Sequence, residues 1–145
     1  AGMLAYGCDI TLDTNPLEVG YDYKWMVDLD QEADFVGKEA LRRIKEEGIS
    51  RLMVGVEIDG PSVGSYNDGS MLEPFPVSTS GGEQVGQVTS ACFSPRLERN
   101  IGLAMLPIEL AKTGTEVVVH TPTGPRAAKV VDKPFIDPAK ETPKG

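Results

Sequence analysis

The sequence predicts an α+β chain that is mainly β, with an antiparallel barrel over residues 50–136 and a mixed segment over residues 1–49 before it. Three observations lead to this prediction. After residue 50, short apolar or alternating runs recur with turn residues between them, as in small barrels and sandwiches. One run with helical periodicity precedes them. Glycine (16 residues) and proline (11 residues) punctuate the whole chain, which favours short elements.

The first 35 residues combine turns with one alternating run. Pro16 suits the first turn of a short helix, with Thr14 or Asn15 as its cap and Glu18 close to its N-terminus. From Tyr21 to Leu29, apolar side chains largely alternate with charged ones, which is the period of a strand. We therefore expect a helical turn followed by a strand.

Residues 37–47 have the pattern of an amphipathic helix. Ala40, Leu41 and Ile44 form one apolar stripe at helical spacing. Gly48 lies where helices commonly end in glycine. The pattern therefore predicts a helix that ends just before the barrel region.

Five runs after residue 50 have the length and composition of strands. They are Leu52–Ile58, Gln84–Thr89, Ile101–Leu106, Glu116–Thr121 and Ala127–Val131. Gly81 and Gly82 indicate a hairpin, residues 122–125 form a second hairpin loop, and residues 107–111 are expected to make one helical turn. A loop at 59–76 is long enough to be functional or mobile, and residues 137–145 are expected to be a flexible tail.

Charge and composition exclude several classes of function. The net charge of −8 repels nucleic acid, and no apolar run has the roughly 18 residues needed to cross a membrane. The two cysteines, Cys8 and Cys92, lack CxxC spacing, which indicates free thiols in a reducing compartment. We therefore expect a cytoplasmic protein that binds neither nucleic acid nor membrane.

Catalytic motifs are absent from the sequence. His120 is the only histidine, and its place in an alternating run indicates a surface or structural role. Neither cysteine has histidine or basic neighbours that would favour a thiolate. We predict no catalytic residue and no metal site.

Aromatic residues and carboxylates cluster near the N-terminus. Four of the nine aromatic residues lie in the first 25 positions, with carboxylates among them. The aromatic residues are Tyr6, Tyr21, Tyr23 and Trp25, and the carboxylates are Asp9, Glu18 and Asp22. Such a wall suits a flat heterocycle, because rings stack on it and an acid fixes its N–H edge. The alternative is that these rings are core residues of a sheet.

The stretch Val88–Ala104 reads VTSACFSPRLERNIGLA and predicts a strand, a sharp turn and an apolar strand. It resembles the signature VTSGTFSPTLGKNIALA of the aminomethyltransferase family, whose best-known member is the glycine-cleavage T-protein. Four other stretches are similar to motifs of that family, in the same order. They are Ala1–Ile10 (AGMxLYGxDI), Asn15–Gly20 (TPLEAG), Asp34–Leu41 (DFIGKEAL) and Val131–Phe135 (a closing PF strand).

The resemblance implies a tetrahydrofolate-dependent transferase. Members of the family bind the folate in the middle of a three-domain ring, which a C-terminal barrel closes. Residues 1–49 would then end the folate-binding domain, and residues 50–136 would be the barrel. The resemblance implies that Tyr6 and Asp9 lie near the pterin pocket. With Glu18, Tyr21 and Trp25 of the aromatic and acidic cluster, they are the predicted cofactor-binding residues, although Asp9 and Glu18 also suit turn and cap roles.

The resemblance also implies that the chain is a C-terminal fragment. The family's catalytic aspartate and a folate-contacting glutamate belong before residue 1, so the isolated chain is expected to be inactive. Residues 21–41 and 92–105 are similar to folate-dependent demethylase-like relatives, which move a methyl group from an amine, ether or sulfonium donor to tetrahydrofolate. That chemistry requires no metal or redox cofactor of this region.

The expected partners are the N-terminal domains of the same protein and a small methylated substrate. A homodimer through the face that those domains would cover is a further hypothesis. Two alternatives stay open. The barrel is a non-catalytic module of a folate and flavin dehydrogenase or an interaction domain, or it is a structural domain without a separate function.

Overall fold

A computed structural model describes residues 2–23, 26–64 and 73–137. Within these residues the chain forms one α-helix, six strands and one 3-10 turn at Ile108–Leu110. The elements are α1 (Lys38–Glu47), β1 (Arg51–Ile58), β2 (Phe75–Ser78), β3 (Gln84–Ser94), β4 (Arg99–Pro107), β5 (Glu116–Thr121) and β6 (Gly124–Val131).

The six strands close into an antiparallel barrel in the order β1-β4-β3-β2-β5-β6, and β6 pairs with β1 to complete it. This confirms the predicted fold class, a mainly β chain with an antiparallel barrel. Closure pairs each strand on both sides, so the barrel presents no free sheet edge.

Strand β1 is buried on both faces, which explains its nearly continuous apolar run. Val54, Val56 and Ile58 point into the barrel, where they join a core built from all six strands. Met53, from the opposite face, belongs to a second cluster outside the barrel. A strand covered on two sides loses the alternation that marks a half-exposed one.

The second cluster attaches residues 2–21, the N-terminal segment, to the barrel. Val19, Met53 and Leu103 are its buried members, and the half-buried residues packed on them include Leu4 and Tyr21. The backbone N–H of Met53 also donates to the carbonyl of Glu18 at 2.7 Å. Residues 2–21 therefore pack directly on the outer face of β1 and β4.

The strand predicted over Tyr21–Leu29 is wrong for the part that the structure describes. The backbone N–H groups of Met26 and Val27 both donate to the Tyr23 carbonyl, which closes a turn. A strand here would need a partner, and the closed barrel offers no edge to pair with. Trp25 lies outside the described residues.

The helical turn at Pro16 forms, but it does not continue into a helix. Asn15 caps it as predicted, because its side-chain oxygen accepts the N–H groups of Leu17 and Glu18 at 3.0 and 3.1 Å. Gly20 then takes a positive φ of 75°, which ends the helical path after one turn.

The other predicted elements form, with several corrections. Strand β3 continues beyond the predicted Thr89 to Ser94, and residues 132–135 of the closing PF motif form no strand. The helix ends at Gly48 and the 3-10 turn follows β4, both as expected. Strand β2 was not predicted. It begins within the predicted loop over 59–76, and Pro76 lies between its inward residues Phe75 and Val77, which breaks the apolar pattern of a strand. The β5–β6 hairpin loop is shorter than predicted, since Gly124 already belongs to β6. Residues 65–72 and 138–145, including most of the predicted tail, lie outside the described residues.

Candidate functional site

An open groove of about 500 Å³ lies between the N-terminal segment and the outer face of the barrel. One wall consists of residues 2–5 with Cys8 and Asp9. The other wall consists of residues 90–92 of β3 and 101–103 of β4, and Phe135 closes one side. Its side chains are mostly apolar with a few polar groups, which is the usual composition of a small-molecule site.

Asp9 is the charged residue of the groove, and only 6% of the residue is exposed to solvent. One oxygen, Oδ2, accepts the backbone N–H of Ala5 at 2.9 Å. The other, Oδ1, accepts the hydroxyls of Thr89 and Ser90, each at 2.7 Å. Hydrogen bonds to an ionised carboxylate are short and strong, so Asp9 ties the N-terminal segment firmly to β3.

The tight turn over residues 5–10 determines which of its side chains face the groove. The N–H of Asp9 donates to the carbonyl of Ala5, and the N–H of Gly7 donates to the carbonyl of Ile10, both at 2.8 Å. The turn brings Cys8 to the groove, whereas Tyr6 is 69% exposed and is not among the groove residues.

Glu18 lies outside the groove and pairs with Arg51 at the start of β1. Its Oε1 accepts Nε of Arg51 at 2.8 Å, and its Oε2 accepts the N–H of Asn15 at 3.0 Å. Burial favours the neutral acid, but the hydrogen bonds from Arg51 and Asn15 and the charge of Arg51 outweigh it and lower the pKa of Glu18. The same pair raises the pKa of Arg51.

The Glu18–Arg51 pair should make the fold sensitive to acid. Because the pKa of Glu18 is lower in the folded chain than its ordinary value of 4.5, the unfolded chain binds more protons as the pH falls. The stabilisation is complete above about pH 4.5 and is lost as the pH drops through the folded pKa.

Urea unfolding between pH 6 and pH 3 measures this effect. We expect Glu18→Gln to have a flatter dependence of unfolding free energy on pH than the parent chain. Glu39→Gln, on the exposed face of α1, removes one carboxylate without touching the pair and should keep the parent profile. Equal profiles for Glu18→Gln and the parent would contradict the role of the pair.

Lys133 is a half-buried cation close to this region. Its Nζ donates to the carbonyl of Val19 at 3.0 Å, which adds a further tie between the N-terminal segment and the residues that follow β6. Burial lowers the pKa of Lys133, and the charge of Asp9 partly opposes that shift. Asp9 and Lys133 therefore supply charges of opposite sign near the groove.

Of the five residues predicted to bind the cofactor, Asp9 alone is placed in the groove among those that the structure describes. Tyr6 is exposed beside it, Glu18 is paired with Arg51, and Tyr21 packs in the second cluster. The sequence missed the groove residues Ser90, Cys92 and Phe135. Two of them belong to the motif at 88–104, and that motif was the signal that could have marked them.

The only histidine lies apart from the groove, whereas the two cysteines line it. His120 is exposed, and its Nε2 lies 2.8 Å from the hydroxyl of Ser78. Both cysteines are free thiols. Within residues 2–23, 26–64 and 73–137, no three His, Cys, Asp or Glu side chains are grouped to hold a metal ion. None of the helices formed by these residues is long and apolar enough to cross a membrane.

The sequence of the barrel matches a known protein family. Residues 51–137 match the family model described as the glycine cleavage T-protein C-terminal barrel domain. The chain belongs to the glycine-cleavage T-protein family. The match begins at the first residue of β1 and includes the whole barrel and Phe135.

Individual members of the T-protein family are similar over most of the chain. The aminomethyltransferase of Synechococcus sp. (strain CC9902) is 40% identical over 135 residues, which are 93% of this chain and 34% of that protein. The aminomethyltransferase of Symbiobacterium thermophilum is 42% identical over 130 residues, which are 90% of this chain and 32% of that protein.

A solved T-protein has the same fold as this chain. The crystal structure of the glycine cleavage system aminomethyltransferase T from Bartonella henselae superposes with a TM-score of 0.78 at 26% identity. The superposition covers 94% of this chain and 36% of that one, so the similarity includes the N-terminal segment as well as the barrel. The chain spans about one third of the length of the curated relatives it matches.

Proposed function

We propose that this chain is the C-terminal part of a tetrahydrofolate-dependent aminomethyl- or methyltransferase, and that its groove holds part of the folate. Membership of the T-protein family is the observation that carries the proposal. The groove adds support because it brings the first residues of the chain, in the motif at 1–10, against the motif at 88–104.

The chemistry of the groove suits a flat heterocycle with an N–H edge. A carboxylate offers about four acceptor positions, and the three hydrogen bonds to Asp9 leave one on Oδ2. An N–H group of the ligand would occupy that position while the apolar walls cover the ring. The chain would thus orient the folate, whose N5 receives the one-carbon unit from an amine, ether or sulfonium donor.

The complete reaction, on this proposal, needs more protein than this chain. The curated relatives are about three times as long. Several large apolar side chains among the residues before the barrel are exposed, among them Leu12 at 90% and Val36 fully. We propose that further domains of the same protein cover them, and that the isolated chain binds folate weakly and transfers nothing. Alternatively, a second copy of the chain covers these apolar side chains, and light scattering at high concentration would then detect a dimer.

Calorimetric titration with tetrahydrofolate tests the proposed site. Cys92→Tyr fills the groove from β3, so we expect it to weaken binding about tenfold or more, which corresponds to about 1.4 kcal/mol. Val118→Tyr makes the same kind of addition at a half-buried position of β5 outside the groove, and it should bind as the parent chain does.

Two results would contradict the proposal. Equal weakening by both variants would place the ligand elsewhere or indicate general damage. No binding by the parent chain at millimolar tetrahydrofolate would favour the alternative of a non-catalytic barrel module.

A further inference from the structure

Strand β3 contains a bulge at Thr89 that changes which side chains face the groove. Val88 pairs with Ala104 of β4, but Ser90 already pairs with the next residue, Leu103, so Thr89 is an extra residue. Both Val88 and Ala91 point into the barrel core. In a regular strand two inward residues are separated by one outward residue, whereas here two lie between them.

The consequence is that two consecutive hydroxyls meet one carboxylate oxygen. Thr89 Oγ1 and Ser90 Oγ both lie 2.7 Å from Asp9 Oδ1 and fill its two acceptor positions. Without the bulge one of the two side chains would point into the barrel. The bulge therefore fixes the plane of the carboxylate, which leaves Oδ2 for the N–H of Ala5 and for the groove.

We infer that Thr89 and Ser90 are positioning residues of the groove. They act through Asp9, whose carboxylate holds the turn over residues 5–10 against β3 and so sets the width of the groove. The inference rests on the proposed function for the identity of the ligand, tetrahydrofolate. It does not rest on that function for the geometry, since the three hydrogen bonds exist without a ligand.

Thiol labelling tests the geometry independently of folate. Cys8→Ser leaves one thiol, the half-buried Cys92 of the groove wall, whose reaction rate with a chromogenic aryl disulfide reports how open the groove is. In this background, we expect Thr89→Val and Ser90→Ala each to accelerate labelling about tenfold, as expected for a lost hydrogen bond to a charged group. Thr89→Ser keeps the hydroxyl and should restore the slow rate.

Two comparisons separate positioning from simple stability. Thr121→Val removes a buried hydroxyl that bonds within the β5–β6 hairpin, so it should lower the melting temperature without changing the labelling rate. Ser90→Ala should add nothing to the labelling rate in an Asp9→Ala background, because alanine has no oxygen to accept the Ser90 hydroxyl and the effect of Ser90 passes through Asp9. Unchanged labelling in Thr89→Val and Ser90→Ala, equal acceleration by Thr121→Val, or additive effects of Ser90→Ala and Asp9→Ala would each overturn the inference.

Tetrahydrofolate titration of the same variants then tests the link to the ligand. We expect Thr89→Val to weaken binding about tenfold and Thr89→Ser to bind as the parent does. If the parent chain binds no tetrahydrofolate, the proposed function fails, while the labelling rates still decide whether Thr89 and Ser90 position the groove. Binding by the parent that Thr89→Val leaves unchanged would overturn the inference and spare the proposed function.

Discussion

Replacing Asn100 by aspartate should destabilise the barrel by about 3–5 kcal/mol, the usual cost of a buried charge without a partner. Asn100 is 1% exposed, and its Nδ2 faces the carbonyls of Ile58, Gly60 and Pro61 at 3.0–3.1 Å. Its Oδ1 accepts the N–H of Val63 at 2.9 Å. Aspartate has nearly the same shape, but it places a second oxygen against three carbonyl oxygens.

The same substitution at Asn15 provides a matched control. There the side-chain oxygen accepts two backbone N–H groups, and aspartate keeps that acceptor, so we expect a loss below about 1 kcal/mol. Urea unfolding at pH 7 compares the two variants. Similar losses for Asn100→Asp and Asn15→Asp would contradict the account of Asn100 as the residue that ties the loop over residues 59–63 to β4.

Gly86→Ala has the second largest expected effect, a loss of about 3 kcal/mol, at the upper end of the range for overpacking. A Cβ atom on Gly86 would lie 2.3 Å from the carbonyl oxygen of Met105 and 3.0 Å from Cδ2 of Leu106. The first contact is with the backbone of the neighbouring strand β4, so a change of rotamer cannot relieve it. Strands β3 and β4 would have to separate, and each is paired over most of its length.

Gly81→Ala is the control for Gly86→Ala. Its Cβ would meet only the hydroxyl of Thr79, at 3.5 Å, in an exposed hairpin turn. We expect a change within about 0.5 kcal/mol, as for ordinary surface substitutions. Thermal unfolding followed by circular dichroism measures both variants, and a loss at Gly81 as large as at Gly86 would refute the steric explanation.

The barrel could be predicted because its strands have clear signals in the chain. The Gly81–Gly82 hairpin, the apolar run of β4 and the alternating run of β5 each depend on nearby residues alone. The strand at Tyr21–Leu29 was wrong because an alternating pattern does not show whether a partner strand exists. Strand β2 was missed because Pro76 interrupts its short apolar pattern.

The candidate site could be predicted only in part. Asp9 was predicted, and the groove places it at the centre of a network that joins residues 80 positions apart in the chain. Thr89 and Ser90 could not be assigned to the same face, because regular alternation puts neighbours on opposite faces and a bulge leaves no clear mark in one sequence. Asn100 holds the loop after β1, a contact between residues 40 positions apart that no local pattern in the sequence shows.

The central claim is that tetrahydrofolate binds in the groove between the N-terminal segment and strands β3 and β4. Amide proton–nitrogen spectra recorded while tetrahydrofolate is added test it most directly, because each backbone amide reports separately. The account predicts that shifts concentrate at residues 2–9, 90–92, 101–103 and Phe135, while the outer face of β5 and β6 stays unchanged. Shifts centred on residues 116–118 and 127–129, or no shifts at millimolar tetrahydrofolate, would contradict it.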